Sequence, residues 1–198
     1  MSFEIVDIPK IKVKAGDLVI CSGMGNSKDT TLIKFGTQSK YTHVGIILIR
    51  NNKIYILHSY VFKNEKILKN YFTGKKKRQG VMLNLFSEFV KNYKGEIWIR
   101  PLNKPFDIYN IGVKFKNKDF ETNRWEMYNS VIGIGKYFIG SSTKEFFCSE
   151  FIAEMFLSMN WLPKGGKTSQ FYFPKHFVTK DIGDGKNYWY LNKLIRCI

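Results

Sequence analysis

The first half of the chain carries two apolar runs that predict a β-hairpin. Residues 41–49 are nearly all apolar after His43, which predicts a strand buried on both faces of its sheet. Asn51-Asn52 is a turn signal, and residues 54–58 predict the returning strand. Shorter apolar or alternating runs predict further strands within 15–21, at the start of 81–93, at 95–100 and at 188–191.

The register of this hairpin follows from its turn. If Arg50 lies opposite Lys53, then Gly45 lies opposite His58, and opposed residues share a face of the sheet. His43 and His58 then project from one face as diagonal neighbours, about 7–8 Å apart between backbones. An apolar strand has little reason to carry polar rings that are costly to bury. The pair is therefore a candidate functional site, and the competing interpretation is two half-buried histidines bonded to the backbone.

A helical pattern follows Cys148. Apolar residues at 151, 152, 155, 156 and 159 recur at the spacing of a helix with one buried face. Cys148 precedes the first two by three and four residues, which places it on that face in the first turn. Residues 102–121 show no clear period. Other helices are predicted at 30–35, at the end of 81–93 and at 121–132.

The position of Cys148 at a helix N-terminus favours a nucleophilic thiol. The positive end of the helix dipole lowers a cysteine pKa and populates the thiolate. A cysteine nucleophile needs a base within hydrogen-bond reach, and that base needs an orienting group. Cys148, His43 and His58 fit these three roles in turn. A buried structural cysteine is the competing interpretation, because free cysteines are among the most buried residues.

An acyl-transfer site also needs donors for the developing oxyanion. The backbone amide of Cys148 is one candidate donor. Loss of one donor typically costs about 3–4 kcal/mol of transition-state stabilisation, so a second donor matters. Tyr41 or a loop amide within 22–26 is the candidate for that second donor, and Asp17 is a candidate support residue.

Composition adds a basic surface to this picture. The 198 residues suffice for one domain, 1–198, and no linker divides them. The net charge of +16 favours an anionic partner such as nucleic acid or an acidic membrane surface. The charge is densest in a basic insertion around 60–80, and a solvated loop is the simpler interpretation of such a run. Its candidate anion-binding residues are Lys75, Lys76, Lys77 and Arg78.

Other chemistry finds little support. Three cysteines indicate no disulfide framework, and no pair has metal-ligand spacing, so neither a metal nor a cofactor is predicted. No run of apolar residues would span a membrane, and no signal-peptide core is present, so a cytoplasmic protein is expected. The composition, rich in Lys, Asn, Ile and aromatic residues, is typical of an AT-rich genome. For a viral protein, the expected location becomes the host cytoplasm or the virion.

Three short motifs occur in a particular order: Gly16-Asp17-Leu18-Val19, then Tyr41-Thr42-His43-Val44-Gly45-Ile46, then Phe147-Cys148-Ser149-Glu150-Phe151. In this order they resemble the circularly permuted branch of the NlpC-type papain-like superfamily, which includes YiiX-like proteins, a poxvirus protein and, more distantly, the lecithin retinol acyltransferase group. The resemblance covers about residues 15–60 and 125–180, and Phe173-Pro174 echoes a later segment of that family.

That resemblance implies an α+β, papain-like fold in which a nucleophile helix packs on an antiparallel sheet. It also implies that Cys148 is the nucleophile, His43 the base and His58 a polar third residue. Several relatives carry an acidic residue at the third position, where this chain has histidine. The basic insertion matches nothing in the family.

Two functions of different classes remain. The first is a cysteine hydrolase or acyltransferase, in which Cys148 attacks an amide, ester or thioester carbonyl of a peptide or lipid and forms an acyl-enzyme. The second is a non-catalytic basic module, or a virion-structural one, that contacts nucleic acid or an anionic membrane through the basic insertion. Salt-sensitive binding without turnover would favour the second.

Overall fold

The computed structural model describes residues 12–23, 28–61, 66–103, 105–116, 119–120, 145–162, 169–179 and 194–197. The helix predicted at 121–132 and the strand predicted at 188–191 lie outside the described residues. Within these ranges, no helix has both the length and the hydropathy to cross a bilayer.

A six-stranded antiparallel sheet is the centre of the fold, which is of the predicted α+β class. Its strands are β1 (Leu18–Gly23), β2 (His43–Arg50), β3 (Lys53–Val61), β4 (Gln79–Leu85), β5 (Gly95–Arg100) and β8 (Ile195–Arg196). They lie in the order β4-β3-β2-β1-β5-β8. A separate parallel pair joins β6 (Asp119–Phe120) to β7 (Glu145–Phe146).

The β2–β3 hairpin has the register expected from its turn. Arg50 pairs with Lys53, and Ile47 pairs with Ile56. The turn residues Asn51-Asn52 have φ angles of 48° and 55°, in the left-handed region that asparagine tolerates. The turn therefore fixes which side chains of the two strands share a face.

The helices among the described residues are α1 (Lys28–Thr37), α2 (Phe86–Asn92), α3 (Tyr109–Val113), α4 (Cys148–Ser158) and α5 (His176–Thr179), with a 3₁₀ turn at Ser169–Phe171. The helix expected after Cys148 is present and begins at that residue. Helix α3 lies in the stretch where no period was detected. Five residues are too few for a helical period to be recognised.

Side chains alternate along the strands and give the sheet two buried faces. One face carries Val44 and Ile46 and packs against α4. The opposite face carries Cys21 and Ile47 and packs against α2, which contributes Phe89. The two helices therefore cover opposite sides of the same central strands.

The basic insertion connects β3 to β4. Its described part, 66–78, folds back on itself through a bridge between Lys69 and Lys76. It joins the outer edge of β4, because the Tyr71 N–H donates to the Leu83 carbonyl at 2.7 Å. The cationic side chains at 75, 76 and 78 are exposed.

Candidate active site

The two histidines of the hairpin are in direct contact. His43 is the first residue of β2, and its Nε2 lies 2.9 Å from Nδ1 of His58 on β3. His58 is fully buried and His43 nearly so. The competing interpretation of two histidines bonded to backbone groups does not hold, because the ring of each bonds to a side chain.

Asn84 continues this hydrogen-bond chain, and sequence reasoning missed it. Its Oδ1 lies 2.8 Å from His58 Nε2, and its Nδ2 donates to the Lys69 carbonyl at 2.8 Å. Asn84 is buried on β4, where it pairs with Ile56, two residues from His58. The available signal was a single polar residue inside the otherwise apolar run 81–85.

Aromatic rings enclose the histidine pair. Tyr60 stacks on His58 with ring centroids 5.2 Å apart and also meets His43 edge-on at 4.9 Å. Phe89 of α2 meets His58 edge-on at 5.2 Å. Burial lowers the pKa of His58 to about 4, against an opposing effect of the hydrogen bond to Asn84. Burial also lowers the pKa of His43 well below its usual value, and the neighbouring His58 adds to this.

Cys148 begins α4 and is also buried. The Glu150 side chain accepts the Phe147 N–H at 3.3 Å, as a capping box does, and so fixes the helix start. Burial raises the pKa of the Cys148 thiol to about 11, although the backbone groups of Val44, Ser149 and Cys148 itself oppose the rise. The sequence-based expectation of a lowered pKa was wrong, because the loss of hydration outweighs the helix dipole.

The thiol and the histidine pair lie at the same end of β2. Cys148 Sγ donates to the Thr42 carbonyl at 3.9 Å, and Thr42 directly precedes His43. The imidazoles project from the face that packs on α2, whereas Cys148 belongs to the core on the α4 face. Among the described residues, no hydrogen bond joins the thiol to either imidazole, so the free protein does not hold a closed Cys-His pair.

Cys148 nevertheless approaches the groups around His43. Cys21 is the strand partner of His43. Burial raises the pKa of Cys21, and the charge of a Cys148 thiolate adds to this rise. Burial also raises the pKa of Tyr93, where the charges of Cys21 and Tyr60 add more than that of Cys148. The end of the sheet therefore brings the thiol near side chains on both faces.

The two candidate support residues have different positions. Tyr41 is half-buried beside the core that contains Cys148, and its ring meets Trp98 edge-on with centroids 5.3 Å apart. The contacts of Asp17 do not support its predicted role. Its carboxylate accepts the Lys14 and Leu102 N–H groups, each at 2.7 Å. It also precedes β1 at the end opposite Cys21, roughly 13 Å along an extended strand.

Among the described residues, no three His, Cys, Asp or Glu side chains gather as metal ligands would. His176, for which no role was predicted, accepts the Phe173 N–H on Nδ1 at 3.0 Å and so orders the start of α5.

One solved structure of similar fold is that of the metalloprotein YiiX from Escherichia coli O157:H7, a DUF1105 protein. The TM-score is 0.50 at 15% sequence identity, and the match covers 75% of this chain and 67% of that chain. No protein-family model matches the chain, and none of the curated proteins matches it. The similarity confirms the YiiX-like fold that the motifs indicated, and at this identity it concerns the fold alone.

Proposed function

We propose that this protein is a papain-like cysteine hydrolase or acyltransferase that uses Cys148, His43 and His58. The observation that carries the proposal is the buried hydrogen-bond chain that begins at His43, one residue after the carbonyl that the Cys148 thiol contacts. A base held by an orienting group is what a thiol nucleophile requires.

In this mechanism, Cys148 Sγ attacks the carbonyl carbon of an amide, ester or thioester. As the S–C bond forms, the thiol proton passes to His43 and the carbonyl π electrons move to oxygen. Collapse of the tetrahedral intermediate expels an amine, alcohol or thiol, which takes that proton from His43. Water or an acceptor alcohol or amine then attacks the acyl-enzyme and releases Cys148 by the reverse proton path.

The start of α4 supplies the oxyanion donors in this mechanism. The backbone groups of Cys148 and Ser149 oppose the rise in the pKa of the thiol that burial causes, and their N–H groups would stabilise a developing oxyanion in the same way. Tyr41, which packs beside the same core, is the second candidate donor.

The resting state of this enzyme is a neutral thiol and a neutral imidazole. The pKa of Cys148 is raised to about 11 and that of His43 is lowered, so neither group is charged at neutral pH. His43 therefore acts as a general base during attack, not as a preformed imidazolium. Catalytic hydrogen bonds are often loose in a free enzyme and tighten around substrate, which agrees with a thiol that contacts Thr42 in the free protein.

An acyl-trapping experiment tests the proposal. The protein is mixed with an activated thioester, and the acylated cysteine is identified by mass spectrometry. We expect the acyl group on Cys148, no adduct in Cys148→Ala, and full acylation in the matched control Cys197→Ser. His43→Gln should slow acylation by about 10²- to 10⁴-fold. If Cys148 reacts no faster than Cys21 and His43→Gln has no effect, the proposal fails.

The neighbour's description as a metalloprotein supplies one control. Both ring nitrogens of His58 and one of His43 are already in hydrogen bonds, an arrangement that suits proton transfer better than metal ligation. Acylation should therefore survive a chelator. Loss of acylation that returns with added zinc would favour a metal-dependent site.

A second candidate function, membrane binding, is favoured by the exposed cations at 75, 76 and 78. Anionic vesicles should bind the protein at low salt, and binding should weaken steeply as salt rises. Neutral vesicles and duplex DNA serve as comparison surfaces. Lipid hydrolysis by the wild type but not by Cys148→Ser would join the two functions, whereas binding retained by Cys148→Ser without any turnover would favour a binding module.

A further inference from the structure

The orientation of the Asn84 amide is settled by its hydrogen bonds. The Lys69 carbonyl can only accept a hydrogen bond, so the amide nitrogen of Asn84 must face it. The amide oxygen then faces His58 at 2.8 Å. A flipped amide would place the side-chain oxygen of Asn84 against the carbonyl oxygen of Lys69, with no hydrogen between them.

This orientation dictates which nitrogen of each ring carries hydrogen. The Asn84 oxygen only accepts, so Nε2 of His58 must be the protonated nitrogen. In a neutral ring, Nδ1 of His58 is then an acceptor, and Nε2 of His43 must donate to it at 2.9 Å. Nδ1 of His43 is left with a lone pair and has no hydrogen-bond partner among the described residues.

The surroundings of the hydrogen-bonded histidine pair favour the neutral form of both imidazole rings. The aromatic side chains that contact the pair are Tyr60 and Phe89, and among the described residues no carboxylate forms an ion pair with either ring. Asn84 itself carries no charge and cannot take up a proton. A positively charged His58 would therefore be buried without a counter-charge.

We infer that Asn84 is a positioning residue that fixes the tautomers of His58 and His43 and so makes Nδ1 of His43 the base for Cys148. This inference rests on the proposed function for its catalytic part. As the S–C bond forms, the S–H bond breaks and its proton goes to Nδ1 of His43. The imidazolium keeps its Nε2 hydrogen, which stays donated to His58, so no proton moves along the chain.

The same series of hydrogen bonds connects the histidine pair to the basic insertion. The carbonyl that holds Asn84 belongs to Lys69, which forms the backbone bridge with Lys76. The fold of this insertion is therefore part of the support for Asn84. The tautomers of the histidine pair depend on a segment whose charged side chains lie on the surface.

The test compares Asn84→Leu, which removes the acceptor, with Asn84→Asp, which keeps an acceptor toward His58 but loses the donor to the Lys69 carbonyl and adds a negative charge. The matched control is Asn92→Ala, because the Asn92 amide donates within α2, to the Glu88 carbonyl at 2.7 Å. The NMR shifts of the imidazole nitrogens report the tautomers directly, without any need for turnover. We expect both rings of the wild type and of Asn92→Ala to be protonated on Nε2.

Asn84→Leu should release this preference and lower the rate of acylation by roughly 10- to 100-fold at nearly unchanged KM, by analogy with the loss of groups that orient metal-binding histidines. Asn84→Asp should keep hydrogen on Nε2 of His58, because the carboxylate still accepts from it, and its negative charge should raise the pKa of His58. Hydrogen on Nδ1 of His43 or His58 in the wild type would overturn the inference, as would unchanged tautomers in Asn84→Leu. If Asn84→Leu fails to fold, the wild-type spectrum still decides. Failure of the proposed function would show instead as absent acylation with the expected tautomers intact.

Discussion

Acid should unfold this protein through its buried histidines. His58 has its pKa lowered from 6.5 to about 4 by burial. Between these values, the unfolded chain binds a proton at this position and the folded state does not. The stability that is present above pH 6.5 is therefore lost as pH falls toward 4.

The size of this loss follows from the shift. A change of one pKa unit corresponds to about 1.36 kcal/mol, so the roughly 2.5 units at His58 amount to about 3 kcal/mol at pH 4. The loss proceeds at about 1.4 kcal/mol per pH unit within the window. His43 adds to it in the same direction, since its pKa is also lowered.

Urea unfolding followed by tryptophan fluorescence, at half-unit steps from pH 7.5 to 4, measures this slope. His58→Gln removes one titrating group and should flatten the slope by about 1.4 kcal/mol per pH unit. The matched control is Ile56→Val on the same strand, which should lower stability by about 1 kcal/mol at every pH and leave the slope unchanged. Burial raises the pKa of Asp17, but this group titrates in all variants and cancels in the difference.

Equal slopes in the wild type and His58→Gln would refute this reasoning. The outcome would mean that His58 binds its proton equally well in the folded and unfolded states. The argument for a neutral, dry histidine pair would then fail, and with it the neutral resting state proposed for the site.

Three further predictions concern neighbouring parts of the fold. Alkylation of Cys148 by iodoacetamide should rise about tenfold per pH unit toward pH 11, since only the thiolate reacts; a plateau near neutral pH would contradict the raised pKa. Gly45→Ala sets a Cβ 2.8 Å from Ile56 Cδ1, so thermal unfolding should reveal a loss of about 1–3 kcal/mol together with slower acylation. Gly112→Ala, which overpacks the opposite face, should lose stability only. Asp17→Ala leaves two backbone N–H groups without an acceptor at about 1–3 kcal/mol each, yet the folded protein should keep its acylation rate; a large loss of rate would restore Asp17 to the site.

The hairpin and the start of α4 could be predicted because their determinants are local. An Asn-Asn turn between Arg50 and Lys53 fixes the register of β2 and β3, and that register puts His43 and His58 on one face. The apolar spacing after Cys148 fixes the buried face of its helix. In both cases, the residues that determine the local structure lie within a few positions of the residues that form it.

The rest depended on contacts between distant parts of the chain. Asn84 joins the site only because β4 pairs with β3, and no local pattern announces that pairing. Asp17 lies inside a motif that suggested the site, but its carboxylate is engaged by Leu102, 85 positions away. The direction of the Cys148 pKa shift was missed because a helix dipole can be read from sequence, whereas the extent of burial cannot.

Stability alone does not explain the buried polar chain of His43, His58 and Asn84. Its hydrogen bonds contribute only about 0.5–1.5 kcal/mol each at neutral pH, and apolar side chains of similar shape can do as well in a core. At pH 4 the protonation linkage of His58 alone costs about 3 kcal/mol. A core selected for stability would replace His43, His58 and Asn84 by apolar residues like their neighbours on β2, β3 and β4. Such an apolar core would lose the oriented imidazole lone pair of His43. His43 directly follows Thr42, whose carbonyl accepts from Cys148, the only thiol at a helix start among the described residues.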